Sequence, residues 1–498
     1  MSNAMAAAHA STKPVVDSLF GDLWPDPLTA GRPRLVGAAV GVGLLAAVVV
    51  PWRQAGLGAF VTLAAVIGVV ACVETGRRSL HQLGYGMLCL ALLSTVLLRD
   101  AEWIVALCFM AAFAVGSVAL AGGRSIVGMI ASTASVPLAS IRGLPWFARS
   151  VRTSSIAASS WPVVRTALVS VALLLVFGAL FASADALFAR WVDLVVPDLS
   201  FDEFLVRLFV FGLVFAFALA SVFVALVPPR VERLAVPAGR PVRRFEWAVP
   251  VGLVVATYAV FLVAQLAALF GGHDYLRRTT GLTYAEYVHQ GFGQLTAATL
   301  LTLLVIAAAV RRAARDSEVD RIWLRVLLGL LCAFTLVVVG SALYRMHVYE
   351  EAYGFTRLRL LVSVFESWLG VLIVLVLVAG IRLRGRWVPL AGLLTGATML
   401  LGLGLMNPDA FIADRNIERF EETGKIDVYY LSNLSDDAVP SMAGLPEPLR
   451  TCALQERPEA NGDWLEWNLG RERAQRFLSG SSVRDRRSQC RSGSCTSC

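Results

Sequence analysis

Two stretches of the chain concentrate side chains able to move protons or bind anions. The first, within Gly271–Gln290, carries His273, Asp274, Arg277, Arg278, Tyr284, Glu286, Tyr287 and His289. The second, Tyr344–Arg359, carries Tyr344, Arg345, His347, Tyr349, Glu350, Glu351, Tyr353, Arg357 and Arg359. Residues four apart share a helix face, so Arg345 lies over Tyr349 and His347 over Glu351. A histidine beside a carboxylate suits proton handling, because imidazole titrates near neutral pH. An ordinary solvated ion pair fits the same spacing. Glu286 falls three positions after Thr283, the spacing of a helix N-terminal capping box, so capping competes with a role as a cavity carboxylate. His273 and Asp274 are adjacent, and their side chains diverge on regular structure.

A second set of polar groups is tied to long apolar runs. Asp185 follows one run and Arg207 opens the next, which places them for an ion pair at a membrane edge. Gln265 and Glu366 lie inside runs, near their ends. Polar groups within a membrane are functional candidates by default, because burying them in lipid is costly. No P-loop, Gly-x-Ser-x-Gly elbow, His-Glu-x-x-His or dinucleotide fingerprint occurs. No cofactor is expected and no metal site is assigned. Cys490, Cys495 and Cys498 lack a nearby histidine or a fourth cysteine.

The elements that must position these groups follow from composition. The 498 residues are 57% hydrophobic and only 16% charged, with a mean hydropathy of +0.67. Soluble domains carry roughly 25% charge. A transmembrane helix needs about 20 apolar residues. Runs of that kind are Leu35–Val50, Leu57–Val73, Gly84–Leu98, Trp103–Ala121, Val163–Ala184, Phe204–Val227, Trp247–Phe270, Phe292–Val310, Ile322–Leu343, Val364–Ile381 and Val388–Met406. The expected fold is an all-α polytopic bundle of about eleven helices. Tryptophans such as Trp52, Trp103, Trp247 and Trp387 mark the ends of runs, at headgroup level.

The net charge of +8 implies no nucleic acid, since basic residues gather in cytoplasmic loops. Arginines cluster at Arg124–Arg165, Arg230–Arg244, Arg311–Arg325 and Arg382–Arg386, and the alternate loops are far poorer in them. The expected protein therefore lies in the plasma membrane with its N-terminus in the cytoplasm. An odd helix number puts the C-terminal segment outside. The opening Met1–Ala4 reads as a cloning scar before Met5, and no cleavable signal peptide is expected. Residues 1–34 read as a polar cytoplasmic N-terminus and 35–406 as the membrane domain, with 125–162 an interfacial cytoplasmic element. Residues 407–478 read as a helical extracytoplasmic cap, and 479–498 as a disordered Ser/Arg/Cys tail. Small-residue spacings at Gly37/Gly41 and Gly392/Gly396 suit close helix packing within the chain.

Four stretches carry a family resemblance. They are FASADALFARWV from Phe181, GGHDYLRRTTGLTYAEYVHQGFGQL from Gly271, YEEAYGFTRLRL from Tyr349, and NPDAFIADRNIERFEETGKIDVYYLSNLSDDAVPSM from Asn407. Over roughly Val163–Leu469 the chain resembles bacterial integral membrane proteins grouped as domain of unknown function 4173, with 4153 related. The resemblance implies a multi-pass membrane protein and assigns no activity. It singles out Asn416, Arg419, Asp427, Tyr430 and Asp437 in the tail motif. Three functions remain open: a binding, sensing or envelope-complex scaffold; a transporter or channel for a small solute; and a membrane-embedded enzyme on a lipid-linked or envelope substrate. The expected partners are the lipid bilayer and an envelope protein or small ligand on the outer face.

Overall fold

The computed structural model describes residues 23–24, 31–73, 80–152, 201–235, 240–280, 292–454 and 462–480, with scattered positions from 166 to 185. Side chains at 201 and 267–280 lie outside this description. The regular structure of the described residues is all helical, without strands; one isolated bridge joins Val242 to Ala313. The membrane helices are α1 (Pro33–Val49), α2 (Leu57–Ala71), α3 (Leu80–Leu93) with its short continuation α4 (Thr95–Leu98), and α5 (Glu102–Ala121). They continue through α6 (Ile126–Arg142), α7 (Leu144–Arg152), α8 (Phe201–Leu226), α9 (Arg244–Thr280), α10 (Phe292–Arg312), α11 (Glu318–Tyr353), α12 (Arg357–Arg382) and α13 (Val388–Met406). The tail adds α14 (Pro408–Thr423), α15 (Val428–Ser432), α16 (Leu449–Ala453) and α17 (Leu469–Gly480).

Eight of the described helices are long and apolar enough to cross a membrane, while α1 and α2 are apolar but shorter. The chain is a polytopic α-helical bundle. The run at 163–184 falls mostly outside the described residues. Helix bounds depart most from the apolar runs on three helices, one of which, α12, starts at Arg357 and not at the predicted Val364. The predicted end at Phe270 gives way to a helix that continues to Thr280, and the predicted end at Leu343 to one that continues to Tyr353. The polar stretch around His347 is therefore a rigid extension of α11, not a loop.

Hydrogen bonds sort the turns onto two faces. On one lie the α1–α2, α4–α5 and α11–α12 turns and the end of α13, all beneath the tail; this is the tail face. On the other, the arginine face, Val242 N–H donates to Arg312 O at 2.9 Å and Arg244 pairs with Asp320 at 2.6 Å. Residues 125–152, expected as one interfacial element, form two helices bent by 48°. The Ser125 amide bonds Glu232 at one end, and Ser150 Oγ accepts from the Arg32 amide at the other, so both ends lie on the arginine face. The first of the two helices is packed rather than peripheral: Ser132, Ser135, Val136 and Ala139 are buried.

The glycine expectation splits. Gly392 and Gly396 do meet Leu372 and Trp368 of α12. Gly37 and Gly41 meet no neighbour among the described residues.

Candidate functional site

Helix ends leave backbone N–H and C=O groups without partners, and in a membrane protein these must be met by protein or interfacial water. The tail supplies such partners one by one. Asn407 adopts a left-handed conformation (φ 63°), which asparagine tolerates, and Pro408 then starts α14. This sharp reversal drops Asp409 into the interface. Asp409 is fully buried and accepts from Arg357 Nε (3.0 Å), Trp103 Nε1 (3.0 Å) and the Ser435 amide (2.8 Å), while Arg357 Nη2 reaches its second oxygen. Burial alone would raise its pKa, but the Arg357 guanidinium and Ser435 outweigh it and hold the carboxyl below the usual range.

The next turns of α14 address the α11–α12 junction. Asn416 works like an added strand edge: its Nδ2 donates to Phe355 O (2.9 Å) and its Oδ1 accepts from Phe355 N (3.0 Å). Gly354 beside it has φ +85°, and a Cβ there would sit 2.6 Å from Asn416 Oδ1, so the position requires glycine. Arg419 donates to the carbonyls of Glu351 (2.9 Å) and Ala352 (2.7 Å), a cation closing the C-terminus of α11. Tyr430 accepts from the Arg357 amide at 2.7 Å. Asp427 is the N-cap of α15, accepting from Tyr430 N at 2.8 Å.

Farther on, the tail reaches the α4–α5 turn. Asp437 Oδ2 accepts from the amides of Asp100 (2.7 Å) and Ala101 (2.9 Å) at the start of α5. Asn468 Nδ2 donates to Val96 O (2.9 Å) and Arg99 O (2.8 Å). Arg471 binds Asp100 (2.6 Å) and Ala55 O (2.6 Å), and Arg53 pairs with Asp463. Arg99 returns the favour from the membrane side, donating to Gly404 O and Leu405 O, both at 2.6 Å. Asp437 Oδ1 has no hydrogen-bond partner and faces Gly470, where a Cβ would lie 2.0 Å away. Burial pushes Asp437 up to about 6, against the pull of the two amides.

The five tail residues singled out by sequence are thus brought together as caps and clamps. Asp409, Arg357, Trp103, Arg99, Asn468 and Arg471 belong to the same seam and were not singled out as tail partners. The only sequence cue was an isolated charge hard against an apolar run. In the α11 extension, His347 pairs with Glu351 at 3.2 Å with both side chains about 60% exposed, the solvated alternative. Arg359 stacks over Tyr349 at 4.4 Å, and Tyr349 lies 4.8 Å from Tyr353. Glu350 is buried, and its Oε1 has no hydrogen-bond partner. His273 and Asp274 ride on α9 with their side chains undescribed, and Tyr284, Glu286, Tyr287 and His289 lie outside the described residues, so neither stretch tests a joint site with Tyr349. Among the described residues no cluster of three His, Cys, Asp or Glu is placed to hold a metal ion.

Of the membrane-edge groups, Arg207 bonds Glu203 (2.8 Å) and Ala47 O (3.1 Å), so its partner is Glu203 instead of the expected Asp185. The nearer acid is one helical turn away, on the same helix. Gln265 Nε2 is buried and lacks a partner. Glu366 lies inside α12, and within a turn of it Trp368 donates to Gly392 O and packs on Gly396 of α13. Glu366 is 0% exposed; Thr296 Oγ1 donates to its Oε2 at 2.9 Å, and its Oε1 is bare.

No curated protein and no solved structure matches this chain. A family profile described as "Domain of unknown function (DUF4153)" matches residues 87–445. The match starts well before Val163, taking in α5, and stops short of the Asn468 end of the seam. With most of its length inside that profile, the chain belongs to the DUF4153 family, the relative of the 4173 grouping that its tail and α11 motifs first suggested.

Proposed function

We propose that this protein is a non-catalytic binding or scaffold component of the bacterial cell envelope. Arginine clustering supports placing the arginine face in the cytoplasm and the capped tail face outside, in the plasma membrane. One observation carries the functional reading: the polar residues of the tail motif are spent on the ends of membrane helices, leaving a filled interface where a reactive cavity would have to be. The cap instead offers an outward surface, with Tyr429 81% exposed and Arg415 and Glu418 exposed along α14. A photo-crosslinking residue at position 429 in living cells should give an adduct of one discrete mass. The same residue at buried position 431 should give none, and Arg357→Met should erase the adduct at 429. Absence of any adduct from 429 or from the exposed face of α14 would sink the reading. Reporter fusions after Arg315 and after Asn407 test orientation; a cytoplasmic signal at Asn407 overturns it.

A second reading, passage of a proton or small cation, rests on Glu366, a carboxylate inside α12 with one unmatched oxygen. In proteoliposomes it predicts an ion flux lost in Glu366→Gln. Equal flux from both proteins removes it.

A further inference from the structure

Between α2 and α3 the bundle opens into a crevice of about 700 Å³, within the size range of small-molecule sites. Its lining runs along α2 from Leu63 to Val73 and along α3 from Leu93 back to Leu83. Ten residues of helix at 1.5 Å each give a depth of about 15 Å, half of the roughly 30 Å hydrocarbon core. The crevice therefore spans one leaflet, from mid-depth to the arginine face, where α5 and α8 close its floor. Among the described residues its lining contains no Asp, Glu, Lys, Arg or His, so a charged ligand group would find no partner among them.

One polar atom in the lining stands out. Ser117 on α5 is 2% exposed, and its Oγ has no hydrogen-bond partner. The hydroxyls of Thr62, Ser132, Ser221, Thr299 and Thr335 all donate to the carbonyl one turn back along their own helix. Ser117 does not, and it faces the crevice four residues from the end of α5, about 6 Å inside it. Counted from the helix end, that is the outer part of the hydrocarbon, just beneath the ester carbonyls of a lipid.

We propose that this crevice holds one acyl chain of a glycerophospholipid from the arginine-face leaflet, with an ester carbonyl accepting the Ser117 hydroxyl. The apolar walls take the chain, the bare hydroxyl takes the ester, and the headgroup stays outside. This goes beyond the scaffold reading and does not depend on it, since no residue of the crevice belongs to the cap.

The test uses the full chain in liposomes containing a phospholipid with a diazirine at mid-chain. Photolabel should concentrate severalfold on crevice-facing residues of α2, α3 and α5 over Val260 and Val263, which face lipid openly on α9. Native mass spectrometry from mild detergent should retain a phospholipid. Gly86→Leu with Gly116→Leu should abolish both signals. A Cβ at Gly86 meets nothing, and one at Gly116 first meets Cys89 Sγ at 3.7 Å, so the new side chains fill the crevice without a backbone clash. Ser117→Ala should lower retention by about tenfold with an unchanged melting temperature, the fold-change of one hydrogen bond. Uniform labelling of the wild type overturns the site. Retention unaffected by the filling pair does the same, and full retention by Ser117→Ala overturns the role of its hydroxyl.

Discussion

The seam beneath the cap and the interior of the bundle both bury polar side chains, and they treat them in opposite ways. In the seam, Asp409 collects four donors, and Asn416 and Asn468 are matched on both amide atoms. Among the described residues Asp437 keeps an idle oxygen there, as does Glu350 on the α11 extension beside it. In the bundle, Glu366 has a single donor and Ser117 none. A matched buried network rigidifies a structure; a bare buried oxygen asks for a partner that is elsewhere. The tail-motif residues singled out in the sequence thus act as helix caps and clamps, and further open valences lie in helices that read as plain hydrocarbon.

The largest expected break of this contrast is Arg357→Met. It leaves Asp409 buried and uncompensated, at a cost of about 3–5 kcal/mol. Limited proteolysis should then cut within α14, which resists in the wild type. Gly354→Ala should cost about 1–3 kcal/mol, because a Cβ at φ +85° is strained and meets Asn416. The readout is thermal unfolding in detergent, and a change below the scan's error would remove the strand-edge role of Asn416. Thr296→Ala should cost about 1–3 kcal/mol by stripping Glu366 of its one donor, with cap proteolysis unchanged.

The pH dependence sharpens the exception. Asp437 has its pKa raised from 3.8 to about 6. A raised carboxyl stabilises the fold fully below its unfolded value and loses that contribution as pH rises through the folded one. Cap stability should therefore decline between about pH 4 and 6 on this account. Asp409, held low, acts the other way and only in stronger acid. Asp437→Asn should flatten the melting temperature across pH 4 to 7, and an unchanged profile would contradict the assignment. The smallest effect belongs to His347→Ala, at about 0.2–1 kcal/mol or less, since its pair with Glu351 is exposed.

Much of the architecture was legible because hydropathy reads one helix at a time. The runs at Trp103–Ala121 and Val388–Met406 needed no partner to be found, and Asn407–Pro408 announced the tail helix. The seam was not legible, because its bonds join distant residues. Arg357 meets Asp409 across 52 positions, and Asn468 meets Val96 across 372. No periodicity encodes such pairs. The apolar run from Val364 hid the first turns of α12, which starts at Arg357 and meets Asp409 there. The Arg207 partner was misjudged by weighing a neighbouring helix over the acid one turn away.

The bond between Asn468 and Val96 has a consequence for biosynthesis. The first membrane hairpins leave the ribosome long before the residues that finish them. At about 5–20 residues per second, the 372 positions between Val96 and Asn468 correspond to roughly 20–70 s of translation. For that interval the carbonyls of Val96 and Arg99 lack the Asn468 amide, while the amides of Asp100 and Ala101 wait for Asp437. A chain shortened before Asn468 would stay in that unfinished state, and the intact seam is thus a molecular record that synthesis passed Arg471.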